Sequence, residues 1–415
     1  MARKMKDSGV EWIGEIPEDK QFVRLKFCAD ISTGNMDTQN NNPNGEYPFY
    51  VRSPIVEHSD TYTFDDEKES ILMAGDGVGA GKIFHLVKGK YGCHQRVYRI
   101  GNIKNYIPEF VKYYLESLFS KLMDYGSAKS TVDSVRLPMI QNFPLITFNK
   151  LEQSAIVEYL NVRIGEINCA LDDAANVIEE YKKYKQSVII KAVTHGLKED
   201  VQKKHTDSKW IGDIPEHWDY VRIGTLFQTV DERNDDPDAQ LLSLYTALGV
   251  KPRSELEERG NKAVTVQNYK IVHKNDIIVN KLLAWMGAIG YSDYEGVTSP
   301  DYDVYRAKED ANVVRSFYNN YFRYTCFNGD CFKYGHGIML MRWRTYPEEF
   351  LRIKVPNPPY DEQVEIAEYL DKKIPEIDKL ISEKEDLIKE LESYKKSLIY
   401  EYVTGKKEVL VENVR

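Results

Sequence analysis

Two stretches of this chain carry apolar residues at alternating spacings of three and four, sustained over several heptads. The first runs through Ile156, Leu160, Ile164, Ile167, Leu171, Ala174, Ile178, Tyr181, Lys185 and Val188. The second runs through Ile374, Ile377, Ile381, Lys384, Ile388, Leu391, Lys395 and Leu398, with Leu380, Leu387 and Tyr394 as a flanking stripe. Such spacing predicts long helices, each packing on another helix. Asn149 with Glu152 three residues on is a capping box for the first arm. Gly165 and, at the matching place, Pro375 predict a break after a short leading helix in each arm. The 30 residues from Gly165 to Thr194 would extend roughly 45 Å as one helix.

The segments before the arms read differently. Short β-like runs, Phe49-Tyr50-Val51, Ile71-Leu72-Met73, Lys82 to Val87 and Arg96 to Ile100, are separated by Gly, Asn and Pro clusters. Ala263 to Val266, Asp276 to Val279 and Asp303 to Arg306 do the same further on. Each run ending in Val-Tyr-Arg is followed by a helical pattern: Phe110, Tyr114, Leu118 and Leu122 in one place, and a segment from Val313 through Phe317, Tyr321 and Tyr324 in the other. The reading is α+β, with two globular modules.

The two modules are copies. Trp12-Ile13-Gly14-Glu15-Ile16-Pro17-Glu18 returns as Trp210-Ile211-Gly212-Asp213-Ile214-Pro215-Glu216, an offset of 198. Glu152-Gln153, Ile156 and Glu158-Tyr159-Leu160 return as Glu362-Gln363, Ile366 and Glu368-Tyr369-Leu370, an offset of 210 that also relates Tyr184-Lys185 and Thr194 to Tyr394-Lys395 and Thr404. Because 210 is a multiple of seven, the arms share heptad phase. The period is too long for a solenoid. The division expected is 1–148 and 201–358 as modules, 149–200 and 359–415 as arms.

Composition narrows the class. With 415 residues and 42% apolar content the chain can bury real cores. Five cysteines without a CxxC pair argue against a disulfide frame or a zinc ribbon, and no window approaches the roughly 18 apolar residues of a membrane span, so the cytoplasm is expected and no membrane partner. The net charge of −9 would repel a polyanion overall, yet phosphates respond to local patches, and acidic arms can coexist with basic loops.

Asn357-Pro358-Pro359-Tyr360 resembles the signature of adenine-N6 methyltransferases, in which the Asn side chain and a Pro carbonyl accept from the target amino group. That enzyme also needs a glycine-rich cofactor loop opening a helix. The only candidate, Gly75 to Lys82, leads instead into the apolar run Ile83 to Val87, and it fails as a phosphate loop because Asp76 and Ile83 stand where Gly and Ser or Thr are needed. Its glycines read better as close-approach positions, toward another strand or a partner. The eight histidines form no metal or triad arrangement. Catalytic and metal sites are therefore expected to be absent.

The order of β-rich module, Glu-Gln helix and long arm, given twice with Trp-Ile-Gly-x-Ile-Pro openings, resembles the specificity (S) subunits of type I restriction-modification systems over essentially the whole chain. The resemblance implies two target recognition domains separated by two long antiparallel coiled-coil arms with an internal pseudo-twofold repeat. Each domain would read one half of a gapped site on double-stranded DNA, while the arms set the gap and dock two methyltransferase (M) subunits, joined by restriction (R) subunits. S-adenosylmethionine, ATP and Mg would belong to those partners, with no cofactor in this chain. Loop donors beside Gly or aromatics are the candidate DNA readers: Lys82, His94, Gln95, Arg96, Lys129 and Ser130 in the first module, and Lys281, Trp285, His336, Arg342 and Arg344 in the second. Partner docking would use the outward arm faces, at Tyr181, Lys185, Lys191, Tyr394, Lys395 and Tyr402. The alternatives are a solitary N6-adenine methyltransferase using Asn357 to Tyr360, and a purely structural coiled-coil scaffold.

Overall fold

The computed structural model describes residues 3–126, 134–246, 248–255, 265–323, 325–337 and 343–409. The chain divides into two compact units: Met1–Ala175 with Asp386–Arg415, and Asn176–Glu385.

In the first unit the Trp-Ile-Gly motif closes a hairpin in which Met5–Asp7 pairs antiparallel with Glu15–Pro17. Gly14 takes φ +71°, a left-handed conformation that a side chain would strain. Trp12 lies against Phe143 with ring centroids 5.4 Å apart, which fixes the hairpin to the module. Behind it, a six-stranded sheet has the order Asp30–Thr33, Val97–Gly101, Phe64–Ala74, Phe84–Cys93, Tyr47–Tyr50, Glu57–Ser59. Only the pairing of Tyr47–Tyr50 with Phe84–Cys93 is parallel. The helix Pro108–Gly126 covers the sheet, and Phe110, Tyr114, Leu118 and Phe119 join Ile71 and Met73 in one fully buried cluster. Each such side chain contributes roughly 1.5–3 kcal/mol through burial.

The second unit repeats the opening in the same register, Lys203–His205 against Asp213–Pro215, with Gly212 again at φ +71°. Here Trp210 sits over Gly329, where a Cβ would stand 2.2 Å from the indole. Ser208 pins this turn: its hydroxyl accepts from Ile211 N–H and donates to Asp330 Oδ2 at 2.9 Å. The sheet is smaller, in the order Phe227–Val230, Tyr302–Ala307, Ile277–Asn280, Ile289–Tyr291. Leu242–Tyr245 with Gly249–Pro252, and Lys270–Val272 with Gly296–Thr298, form separate two-stranded antiparallel sheets. The helical pattern expected from Val313 begins at Arg315 and forms Arg315–Arg323, followed by Thr325–Tyr334, while Tyr324 lies outside the described residues. The expected run Ala263 to Val266 forms no strand where it is described, and its first two residues lie outside the described part.

The arms are the helices Lys150–His195 and Tyr360–Val403. The break expected at Gly165 and Pro375 does not occur. Gly165 costs an exposed helix only about 1 kcal/mol relative to Ala. Pro375 lies inside the second helix with both flanking turns intact, its ring and the neighbouring Asp371 and Glu376 at the exposed surface. The carbonyl that loses its partner to Pro375 therefore faces water rather than a core.

Within each unit the arm segments pair antiparallel. In the first, Tyr159 packs on Tyr402 at 4.6 Å between centroids and Lys395 Nζ donates to Asn168 Oδ1 at 2.7 Å. In the second, Ile189, Ala192 and Val193 share a cluster with Ile366 and Leu370, and Lys185 Nζ reaches Asp378 Oδ1 at 2.7 Å. Lys185 and Lys395 are equivalent in the repeat, and so are Asp378 and Asn168, so one contact is made twice with the roles of the arms exchanged. The predicted stripe is the one that faces inward: Ile156, Leu160, Ile164, Ile167, Ala174 and Ile178 are all buried.

The repeated Glu-Gln pair joins each arm to its module. Gln153 and Gln363 are wholly buried. The Gln153 amide donates to the carbonyls of Phe148 (2.8 Å) and Asn105 (3.2 Å), and its Oε1 accepts from Ile107 N–H (2.7 Å). Gln363 donates to Pro358 (2.9 Å) and Asn312 (3.1 Å) and accepts from Val314 N–H (2.9 Å). Glu152 completes the predicted capping box with Asn149, each accepting from the other's backbone N–H at 2.9 Å. It also binds Lys20 at 2.7 Å, while Glu362 holds Trp218 Nε1 and His217 at 2.8 Å.

Replacing Gln363 by Ala leaves the buried Pro358 carbonyl without its partner, at about 1–3 kcal/mol, and breaks two partly buried bonds worth about 1 kcal/mol or less each. Urea unfolding of Gln363→Ala should therefore show a loss of about 2–4 kcal/mol, whereas Glu362→Gln, at a partly exposed position, should cost far less. Asp330 supplies a pH test. Burial pushes its carboxyl up from 3.8 to about 6 despite the Ser208 hydrogen bond. The folded state therefore holds the proton more tightly than the unfolded one, and stability falls as pH rises from about 4 through about 6. Melting curves should show Asp330→Asn gaining on the parent protein at pH 8 and losing that gain at pH 4.

Candidate nucleic-acid interface

In the first module the glycine-rich run Gly75 to Gly81 leaves the strand Phe64–Ala74 and turns back into Phe84–Cys93. A Cβ on Gly75 would stand 2.8 Å from the Arg96 carbonyl oxygen, and one on Gly79 would stand 2.9 Å from that of Arg52. The absence of side chains thus lets the loop lie directly against the backbone carrying two arginines, which is the close approach to another strand expected of these glycines. Asp76 comes to rest between them, with Arg52 Nη1 at 2.9 Å and Arg96 Nη1 at 2.6 Å. Burial works to raise the Asp76 carboxyl, but the two guanidiniums overcome it and hold it below its ordinary range.

Three of the expected readers gather at this corner. Arg96 and Gln95 are exposed, and Gln95 Nε2 donates to Asp37 Oδ2 at 3.1 Å. Lys82 is exposed at the end of the glycine loop. His94 is placed differently. It is 2% exposed, its Nδ1 accepts from Arg96 N–H at 3.0 Å, and burial together with the Arg52 charge holds its imidazole below the usual range against the pull of Asp37. A neutral, buried ring shapes the turn that carries Arg96. Lys129 and Ser130 lie outside the described residues. Val135, in the described chain that follows, donates its N–H to Gly75 O at 2.8 Å.

The second module builds a comparable corner. His336 and Arg344 exchange backbone hydrogen bonds at 2.9 and 3.0 Å, both side chains exposed, and Thr345 N–H donates to Lys281 O at 3.0 Å. Trp285 rests on Phe332, which stacks on Trp343 at 4.9 Å. Lys281 Nζ lies 3.5 Å from the buried Asp303 carboxylate, which Lys270 binds at 2.9 Å. Lys281, Trp285, His336 and Arg344 are thus brought together, with Arg342 outside the described residues.

The arginines of the two Val-Tyr-Arg runs serve the scaffold. Arg99 is buried against Asp66 and Tyr91, and Arg306 bridges to Asp276 at 2.7 Å and Glu232 at 3.0 Å. Sequence reasoning missed Arg52, which follows an ordinary apolar run, and the exposed apolar tips Ile55 and Val78 beside it, 71% and 93% accessible. The acid in a basic site was the available signal, in the form of the Asp that spoils the phosphate-loop pattern.

On the arms, Lys185 and Lys395 make the contacts between helices described above, and Tyr402 is buried against Tyr159 rather than facing outward. Lys191 is exposed and pairs with Glu199 at 2.8 Å, and Tyr181 is half-buried. Tyr394 is 56% exposed and its repeat mate Tyr184, inside the expected stretch from Tyr181 to Lys191, 50%. In the second unit Tyr184, Val188, Lys191, Leu197, Glu199 and Tyr369 line an open groove of about 350 Å³.

Asn357 is committed to structure. Its Oδ1 accepts from Tyr318 O–H at 2.8 Å and from Gln363 Nε2 at 3.3 Å, at the end of the strand Lys354–Asn357 that leads into the second arm. Among the described residues no group of three metal-ligating side chains converges, and no helix is long and apolar enough to cross a membrane. Asn357→Ala should lower the melting temperature modestly, through loss of two hydrogen bonds worth about 1 kcal/mol each.

Comparison with known proteins follows the same repeat. The family model described as "Type I restriction modification DNA specificity domain" matches residues 17–174 and 215–392. The type I restriction enzyme EcoDI specificity subunit of Escherichia coli is 21% identical over 378 residues, covering 85% of this chain and 81% of that protein. Among solved structures, a chain from "Structural basis underlying complex assembly and conformational transition of the type I R-M system" is similar with a TM-score of 0.68 at 12% identity, covering 94% of this chain and 99% of its own. The HsdS subunit from Thermoanaerobacter tengcongensis gives 0.50 at 13% identity, with coverage of 94% and 98%, and both likenesses speak to the fold. With the family model matching both copies of the repeat, the chain belongs to the family of type I restriction-modification DNA specificity subunits.

Proposed function

We propose that each module reads one half of a two-part site on double-stranded DNA, and that the chain itself carries no catalysis. The observation that carries this reading is the repeated corner, where a strand exit bonded to the chain at Val135 or Thr345 gathers exposed cations in both modules, with a stack of aromatics added in the second. A corner of this size can contact only a few base pairs, each good bidentate pair giving about 1–3 kcal/mol of discrimination. Two corners in one chain multiply selectivity. The charge of −9 is compatible with this role because binding responds to the local patch rather than to the whole-molecule sum.

Adenine methylation and cleavage then fall to partners: two methyltransferase subunits with S-adenosylmethionine, and restriction subunits with ATP and Mg. Their docking is expected on the exposed arm tyrosines, Tyr184 and Tyr394, with the groove beside Tyr369 as one contact. The arms act as a ruler between half-sites. The competing solitary methyltransferase has no support in the commitment of Asn357 to Tyr318 and Gln363.

A base-resolution map of adenine methylation in host DNA, with and without this gene, should lose one gapped two-part motif on deletion. Loss of an ungapped motif would favour the solitary enzyme instead. Methylation by the reconstituted complex should survive Asn357→Ala with its motif unchanged. Removing one heptad from both arms should change the gap while leaving both half-sites as they were, and an unaltered gap would refute the ruler.

A further inference from the structure

We propose that Asp76 is a positioning residue that sets base specificity in the first module, holding the Arg52 and Arg96 guanidiniums as a preformed fork aimed at one half-site. This rests on the DNA-reading role proposed above. The geometry separates the arrangement from an ordinary brace. In the Arg99–Asp66 pair both side chains are 11% exposed and the arginine is spent on the interior. In the corner the acid is withdrawn, at 15% exposure, while Arg52 and Arg96 stand 42% and 61% exposed.

Each guanidinium commits Nη1 to Asp76, and each has five N–H donors in a fixed plane, so capacity remains for a ligand. One carboxylate between two arginines leaves a net positive charge at the rim. The loop that carries the acid touches both arginine backbones through Gly75 and Gly79, so acid and cations are positioned by the same contact. Planar, oriented guanidiniums suit bidentate recognition of a guanine edge, whereas an unheld arginine gains much the same from any phosphate. A carboxylate so close to incoming phosphates would oppose binding unless it improved discrimination.

The test uses the complete methyltransferase complex on a duplex library with both half-sites randomised, methylated adenines being read by sequencing. The parent complex should return a two-part motif. The Asp76→Asn complex should return one part blurred, its preference at that part reduced about tenfold, within what one bidentate contact gives, and the other part unchanged. Asp76→Glu should restore much of the lost preference, and Arg96→Lys, which keeps charge but not the fork, should blur the same part. Unchanged preference in Asp76→Asn would overturn the proposal. So would equal blurring of both parts with a lowered melting temperature, because the residue would then act through the fold as a whole. If the parent complex itself returns no two-part motif, the DNA-reading assignment fails, and this inference with it.

Discussion

The structure depends on one buried amide used twice. Gln153 and Gln363 each satisfy two carbonyls and one N–H of loops that would otherwise be stranded at the base of an arm. A glutamine can do this because its planar amide offers donors and an acceptor in one rigid group, a combination no apolar or charged residue of that size supplies. The bonds it makes are individually modest, but one in each copy is fully buried and all three depend on the orientation of a single amide, so the joint between module and helix is specified rather than merely sticky. The adjacent glutamates extend the joint with different chemistry, a lysine in one copy and an indole and imidazole in the other.

Much of this was legible in the chain. The repeat and the inward stripe from Ile156 to Ile178 were visible because they are local or periodic. The role of Gln153 was not, since its bonds to Asn105 and Ile107 reach back more than forty residues. Pro375 predicts a break because propensity is a local quantity, whereas the packed helix around it is not. At the corners, glycine or aromatic neighbours in the chain mark the positions of Arg96, Lys82, Arg344 and Lys281, whose contacts with DNA remain a proposal. Burial turned His94 into a scaffold residue, and pairing between arms did the same for Lys185, Lys395 and Tyr402. Arg52 carried no local mark and became visible only through Asp76.

Charge is divided by function more than by sequence position. Buried or half-buried arginines at Arg99 and Arg306 are neutralised by acids on or just before neighbouring strands and tie each sheet together. The exposed ones at the corner are only half neutralised. A chain that is acidic in sum therefore still presents local positive edges, and its sum says little about what those edges bind.

The doubled lysine contact constrains how such a chain can change length. Lys185 with Asp378 and Lys395 with Asn168 are two statements of one register. An insertion between positions 168 and 185 in the first arm alone cannot keep both, whereas a matching insertion between 378 and 395 restores them together. Arm lengths in descendants of this gene should therefore change in step, in whole heptads, and a lineage in which one arm drifted alone would have to abandon one of the two contacts.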